Sequence, residues 1–300
     1  MRTMKLALSV GLGVLSLSAL ALTSDPATVA GNTTVTDTTV KNVNQGVQNT
    51  AKNESSINSG IQAKGSQIKN STLDSENKGV INEAIGRSKI NSGIQANENA
   101  DIQNSTLRNV NKTVNNTAIN QSEINSGITA DGALIMNSTL DNTNQGVNNT
   151  AIDKSKINSG INADGATIIN APLILNTNKN VNNTATGESE INSGINVKNG
   201  TVVNTTLINT NENVTNEAHN KSKINSGINA ENATLQNTTL NNSNTGIVRN
   251  TAKDGSTVNS GINVKDAKVT GKSITNENKN VINDAQNKSH INSGVDFGAN

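Results

Sequence analysis

The pentapeptide Ile57-Asn58-Ser59-Gly60-Ile61 recurs along the chain, with Ile90, Ile124, Ile157, Ile191 and Ile224 each opening the same five residues. It returns as Val258-Asn259-Ser260-Gly261-Ile262 and last as Ile291-Asn292-Ser293-Gly294-Val295. Successive starts lie 33, 34, 33, 34, 33, 34 and 33 residues apart. A fixed period of this size marks a repeat architecture, in which each unit buries its apolar face only against its neighbours. The chain is therefore read as an array of about eight units of 33 or 34 residues behind a leader.

Composition decides what kind of array this is. There is no Trp, no Tyr and one Phe, Phe297. Asn makes up roughly a fifth of the chain, far above average usage. A three-dimensional core of Ile, Val, Leu and Ala alone would be thin. A stack of thin layers needs only a few apolar residues per layer. Disorder is the competing expectation for a chain rich in Asn, Ser and Thr, and the regular apolar columns argue against it. The net charge of +1, with both signs interspersed, gives no electrostatic case for nucleic acid or an anionic membrane as partner. The absence of cysteine excludes disulfides and thiolate metal sites.

Residues 1–30 read as a secretory signal, which implies a secreted, extracellular or cell-surface protein. Arg2 and Lys5 form a basic start, residues 6–20 are apolar and small, and Ala19-Leu20-Ala21 is a cleavage site. Thr28-Val29-Ala30 is a second possible cleavage site. A membrane anchor is the alternative, but the apolar run is short and Thr23-Ser24-Asp25-Pro26 follows at once. Residues 31–300 form the tandem repeat domain, with no later segment able to insert in a membrane as a helix.

In the unit that opens at Ile124, Ile124, Ser126, Ile128 and Ala130 alternate with Asn125, Gly127 and Thr129, the period of two of a half-buried strand. Asp131-Gly132 is a turn pair, and Ala133, Ile135 and Asn137 form a second alternating run. The phase slips at Ser138-Thr139, so Leu140 begins a third run that ends at a turn near Asn144-Gln145-Gly146. Val147, Asn149, Ala151, Ser155 and Ile157 then share one phase. Phase slips at turn residues are corners. No 3.6-residue period supports helix. The fold expected is all-β: a repeat β-solenoid or cross-β stack, with parallel, in-register rungs. The one-residue length differences fall near Asn97-Glu98-Asn99, between Ile168 and Val181, and near Val248-Arg249. The first two are read as corners and the third as a strand bulge.

Columns down the array point to stacking. The residue before the motif is Lys89, Glu123, Lys156, Glu190 and Lys223, alternating in sign. Lys154, Glu188 and Lys221 alternate likewise. Both columns face outward by phase and set register, because a slip of one repeat brings like charges together. Three further columns are Asn. Asn70, Asn104, Asn137, Asn170, Asn204 and Asn237 are read as inward. So are Asn49, Asn82, Asn116, Asn149, Asn183, Asn216, Asn250 and Asn283. Asn77, Asn111, Asn144, Asn178, Asn211, Asn244 and Asn278 read better as turn formers. An inward Asn repeated on every rung can form an amide ladder.

No catalytic, cofactor-binding or metal-ligating constellation stands out, and an enzyme is the least expected reading. His219 and His290 are isolated, no calcium-loop spacing recurs, and the repeated inward Ser of Asn-Ser-Gly is structural. Sequons such as Asn70-Ser71-Thr72 follow from composition.

Val147-Asn148-Asn149-Thr150-Ala151, and the run Ser155-Lys156-Ile157-Asn158-Ser159-Gly160-Ile161-Asn162, resemble the repeats of bacterial functional amyloid subunits. The Fap fibre proteins are nearer in repeat length, and the curlins more distant. The chain departs from the main Fap subunit in lacking a Cys pair near the C-terminus, in having few Gln, and in lacking long linkers. The resemblance implies a fibre subunit of a biofilm matrix that polymerises with itself. It also implies a nucleating minor subunit and an outer-membrane export pore as partners. A monomeric solenoid adhesin or stalk is the alternative. Ice binding through regular Thr and Asn rows is a weaker one.

Overall fold

The computed structural model describes residues 22–23, 28–30, 33–97, 99–271 and 273–297. The leader assigned to residues 1–30 lies outside the described residues as far as Ala21, as does Glu98. Among the described residues every regular element is a strand and none is a helix. The chain winds as a β-solenoid, one repeat per coil, and every strand pair is parallel. Two of its sheets contain eight strands and a third contains nine. At a strand spacing of about 4.8 Å, eight rungs give a stack about 38 Å long.

Each coil has five segments. In the coil opening at Glu123 they are Glu123–Asn125, Ile128–Thr129, Leu134–Met136, Thr139–Gln145 and Asn148–Ile152. The first three segments stack into separate sheets. The fourth and fifth share one 15-stranded sheet, because in two coils they fuse into Ile174–Thr186 and Thr206–His219. Register is one repeat to one rung: Ile124 lies on Ile157, and Asn149 lies on Asn183.

The alternating run expected from Ile124 to Ala130 is two strands. The Ser126-Gly127 pair between them turns the chain, and it does so with Gly127 packed onto the coil above. A Cβ on Gly127 would fall inside the van der Waals envelope of the Gly160 carbonyl oxygen, and the same holds at Gly93, Gly160, Gly194 and Gly227. This close backbone approach explains why the motif keeps its Gly. The other corners use left-handed residues: Gly132 at φ 65, Asn137 at φ 50, Gly146 at φ 62, and the pair Asp153 and Lys154 at φ 55 and 61. Asn, Asp and Gly tolerate this region best.

The third length difference corrects the expectation of a strand bulge. Glu212 lies on Thr245 whereas Thr215 lies on Arg249, so the extra residue sits at the Gly246–Ile247 corner. All three insertions thus fall at corners between segments.

The interior is divided. The largest apolar cluster takes Ile128, Ala130, Ala133, Ile135 and Leu140 from this coil. A second stacks Ile124 and Ala151 with their equivalents, and a third is the column Val80, Val114, Val147, Val181 and Val214. Between them runs a buried polar spine of Asn and Ser.

Candidate functional site

The polar spine and the strand edges that carry it form the surface by which one rung recognises the next. Segment four points Asn142 and Asn144 inward, and segment five points Asn149 inward, all with at most 1% exposure. A buried amide is costly unless both N–H groups and the oxygen are partnered. Stacking meets that demand. Asn144 accepts from Asn111 Nδ2 at 2.8 Å, donates to Asn178 Oδ1 at 2.9 Å, and donates its second N–H to the Ser159 carbonyl at 2.8 Å. Asn142 donates to Asn176 Oδ1 and the same Ser159 carbonyl, both at 2.7 Å. Asn149 accepts from Asn116 Nδ2 and Ser159 Oγ, both at 2.8 Å, and donates to Asn183 Oδ1 at 2.8 Å and Ser193 Oγ at 3.3 Å. The Ser of the pentapeptide therefore serves two ladders with its carbonyl and a third with its hydroxyl.

The Asn82, Asn116, Asn149, Asn183 and Asn216 column forms a continuous inward ladder, with steps of 2.8–2.9 Å. The Asn77 to Asn244 column, read from sequence as turn formers, is an inward ladder too, because the strand runs through Gln145 and turns only at Gly146. The Asn104, Asn137 and Asn170 column is the reverse correction. These residues are exposed at the corner after segment three, with φ of 49, 50 and 52. Their phase in a continuous strand pointed inward, but a left-handed residue ends the alternation and turns the side chain out. The hydroxyl of the next residue, Ser138, faces inward instead and donates to the Met136 carbonyl at 2.7 Å.

Sequence reading missed one more inward ladder. Asn109, Asn142, Asn176, Asn209 and Asn242 join at 2.7–2.8 Å. Its signal was a further Asn column at the same period. Ser75 interrupts it, and Asn109 Oδ1 is buried with no partner as a result. The inward ladders donate toward the higher-numbered coil. Outside, the Asn of the pentapeptide donates the opposite way, with Asn158 Nδ2 to Asn125 Oδ1 at 3.0 Å and Asn192 to Asn158 at 2.9 Å.

The charged columns lie on the surface. Lys89 meets Glu123 at 3.0 Å, while Glu190 meets Lys156 at 3.8 Å and Lys223 at 3.9 Å. Lys156 also pairs in register with Glu123. Lys154 meets Glu188 at 3.6 Å on the neighbouring corner. Exposed pairs of this kind contribute about 0–1 kcal/mol each. Burial pushes the Asp131 carboxyl up from its ordinary 3.8 to about 6; the Asp164 carboxylate adds to the rise and the Asp164 N–H opposes it. Asp141 is also raised, chiefly by burial and against the pull of Arg108, and its Oδ1 has no partner. Among the described residues no group of three or more His, Asp or Glu side chains is placed to hold a metal ion. No family model matches the chain, and no curated protein matches it.

Proposed function

We propose that the chain is a secreted structural protein whose molecules join end to end into amyloid-like fibres at a cell surface or in an extracellular matrix. The observation that carries this reading is the set of inward amide ladders, which all donate in one sense along the stack. A ladder of identical rungs has no built-in stopping point, and each end rung offers unpaired backbone groups and half-used amides to another rung. The function is assembly, not chemistry, so no residue is assigned a catalytic role. Self is the partner; a nucleating minor subunit and an outer-membrane export pore would accompany export and seeding. The test is to hold concentrated purified protein at neutral pH for days and follow it by sedimentation and electron microscopy. Unbranched filaments support the reading, and a strictly monomeric solution overturns it.

A stand-alone stalk or adhesin is the second reading. It is favoured by the strands Leu22–Thr23 and Thr28–Ala30, which cover part of the first edge in cis and give a monomer a finished end.

A further inference from the structure

The two ends of the described stack match column by column. The last coil presents Ile274, Asn276, Asn278, Val281, Asn283 and Ala285 on its outer edge; the first presents Val40, Asn42, Asn44, Val47, Asn49 and Ala51 in the same columns. Lys288 shares its corner column with Glu54, so opposite charges meet where the ends meet. Hydrogen-bonding sense agrees as well. Asn276 accepts from Asn242 at 2.7 Å and gives one N–H to the Ser293 carbonyl at 2.7 Å, so its second N–H points onward along the ladder. At the other end Asn42 is fully buried and its Oδ1 has no partner. An onward-pointing amide donor at one end and an orphaned amide acceptor in the same column at the other are the two halves of one missing rung contact.

Gly294 gives an independent indication. Every other pentapeptide Gly is shut in by the Gly carbonyl of the following coil, but a Cβ on Gly294 would meet nothing nearer than Asn292 Oδ1 at 3.9 Å. Within the described residues nothing requires Gly there. A second molecule stacked in register would require it, because Gly60 of that copy would take the place of the following coil.

That place is already partly taken. Leu22–Thr23 pairs with Val40–Lys41, the edge that Ile274–Thr275 of another copy would use, since Ile274 and Val40 share a column. Thr28–Ala30 pairs with Gln62, Ala63 and Lys64, and Val295–Asp296 of another copy would need Ile61 and Gln62. We infer that the last coil docks onto the first coil of a second copy of this chain, head to tail and in register. The strands Leu22–Thr23 and Thr28–Ala30 are an internal competitor that must leave before the joint can close. This rests on the fibre reading and adds to it a polarity, a register and a brake. It also gives the two cleavage sites opposite consequences: cutting after Ala21 keeps the competitor, and cutting after Ala30 removes it.

Two variants of the full chain test it, each measured as the rate of filament elongation from preformed seeds. Gly294→Ala leaves the monomer's melting temperature unchanged, because its Cβ has room, and abolishes elongation, because the Gly60 carbonyl of the incoming copy cannot be accommodated. Thr28→Cys with Gln62→Cys joins partners whose rungs lie about 4.8 Å apart, within disulfide reach. The chain has no other cysteine to interfere. Oxidation locks the competitor in place and slows elongation about tenfold or more, as depletion of competent ends does; a reductant restores the wild-type rate. Wild-type filaments accompanied by normal elongation of Gly294→Ala overturn the head-to-tail joint and leave the fibre reading standing. Equal rates for the oxidised and reduced double variant overturn the competitor. A wild-type chain that forms no filaments overturns the fibre reading itself, and the joint with it.

Discussion

At the scale of single residues, the molecule separates two kinds of Asn that look alike in the sequence. Asn144 is fully buried and makes three amide hydrogen bonds; Asn137 is exposed and holds a left-handed corner at φ 50. Asn144→Ala strands the Asn178 oxygen and one N–H of Asn111, while the Ser159 carbonyl keeps Asn142; unpaired buried groups cost roughly 1–3 kcal/mol apiece. We expect a loss of at least about 2 kcal/mol in urea unfolding for Asn144→Ala. Asn137→Gly is expected to change stability by less than about 0.5 kcal/mol, because Gly enters the left-handed region freely. Ser75→Asn should do the opposite of Asn144→Ala: it supplies the missing donor to Asn109 Oδ1 and raises stability by about 1 kcal/mol. A lower melting temperature for Ser75→Asn would contradict the ladder account. Asp131 makes the pH dependence explicit. Its folded pKa is raised, so the folded state binds the proton more tightly than the unfolded chain. Its stabilising contribution is complete below its ordinary 3.8 and is lost as pH rises through about 6. The melting temperature should therefore climb as pH falls from 7 toward 4.5, and Asp131→Asn should flatten that slope.

At the scale of the coil, the pentapeptide is legible for a physical reason. Its Gly touches the next backbone and its Ser feeds three ladders, so neither can vary from rung to rung. Gly160→Ala would drive a methyl group into the Gly194 carbonyl, in a stack with no slack along its axis. Gly165→Ala sits at a corner with φ 66 and its Cβ would find only the Gly132 backbone at 3.9 Å. Left-handed strain alone costs Gly165→Ala about 1 kcal/mol. Gly160→Ala should cost several times as much by thermal melting, and equal losses would contradict the packed-glycine account. Period, strand class, parallel register and two of the three corner insertions could be read from the repeat; the third reads in sequence as a strand bulge and lies at a corner. The side of the wall on which Asn104 and Asn144 fall could not. Strand phase predicts direction only within an unbroken strand. Whether Asn137 ends a run, or Gly146 does, depends on which residue takes the left-handed conformation, and Asn and Gly both can.

At the scale of the whole molecule, stability is nearly a sum of rung terms and rung-to-rung contacts. The exposed charge columns add little to that sum but penalise slipped registers. Lys156→Glu would place three carboxylates in a row with Glu123 and Glu190. Its cost is expected to be about 1 kcal/mol or less and to shrink as salt is added. A large, salt-independent loss would mean that the column does more than guard register. The ladders, by contrast, run the length of the stack, and the fibre reading extends them across molecules. X-ray fibre diffraction from aligned filaments grown at neutral pH tests that extension most directly. The account predicts a sharp meridional reflection at about 4.7–4.8 Å, the rung spacing continued through every junction. Aligned filaments without that reflection would contradict it.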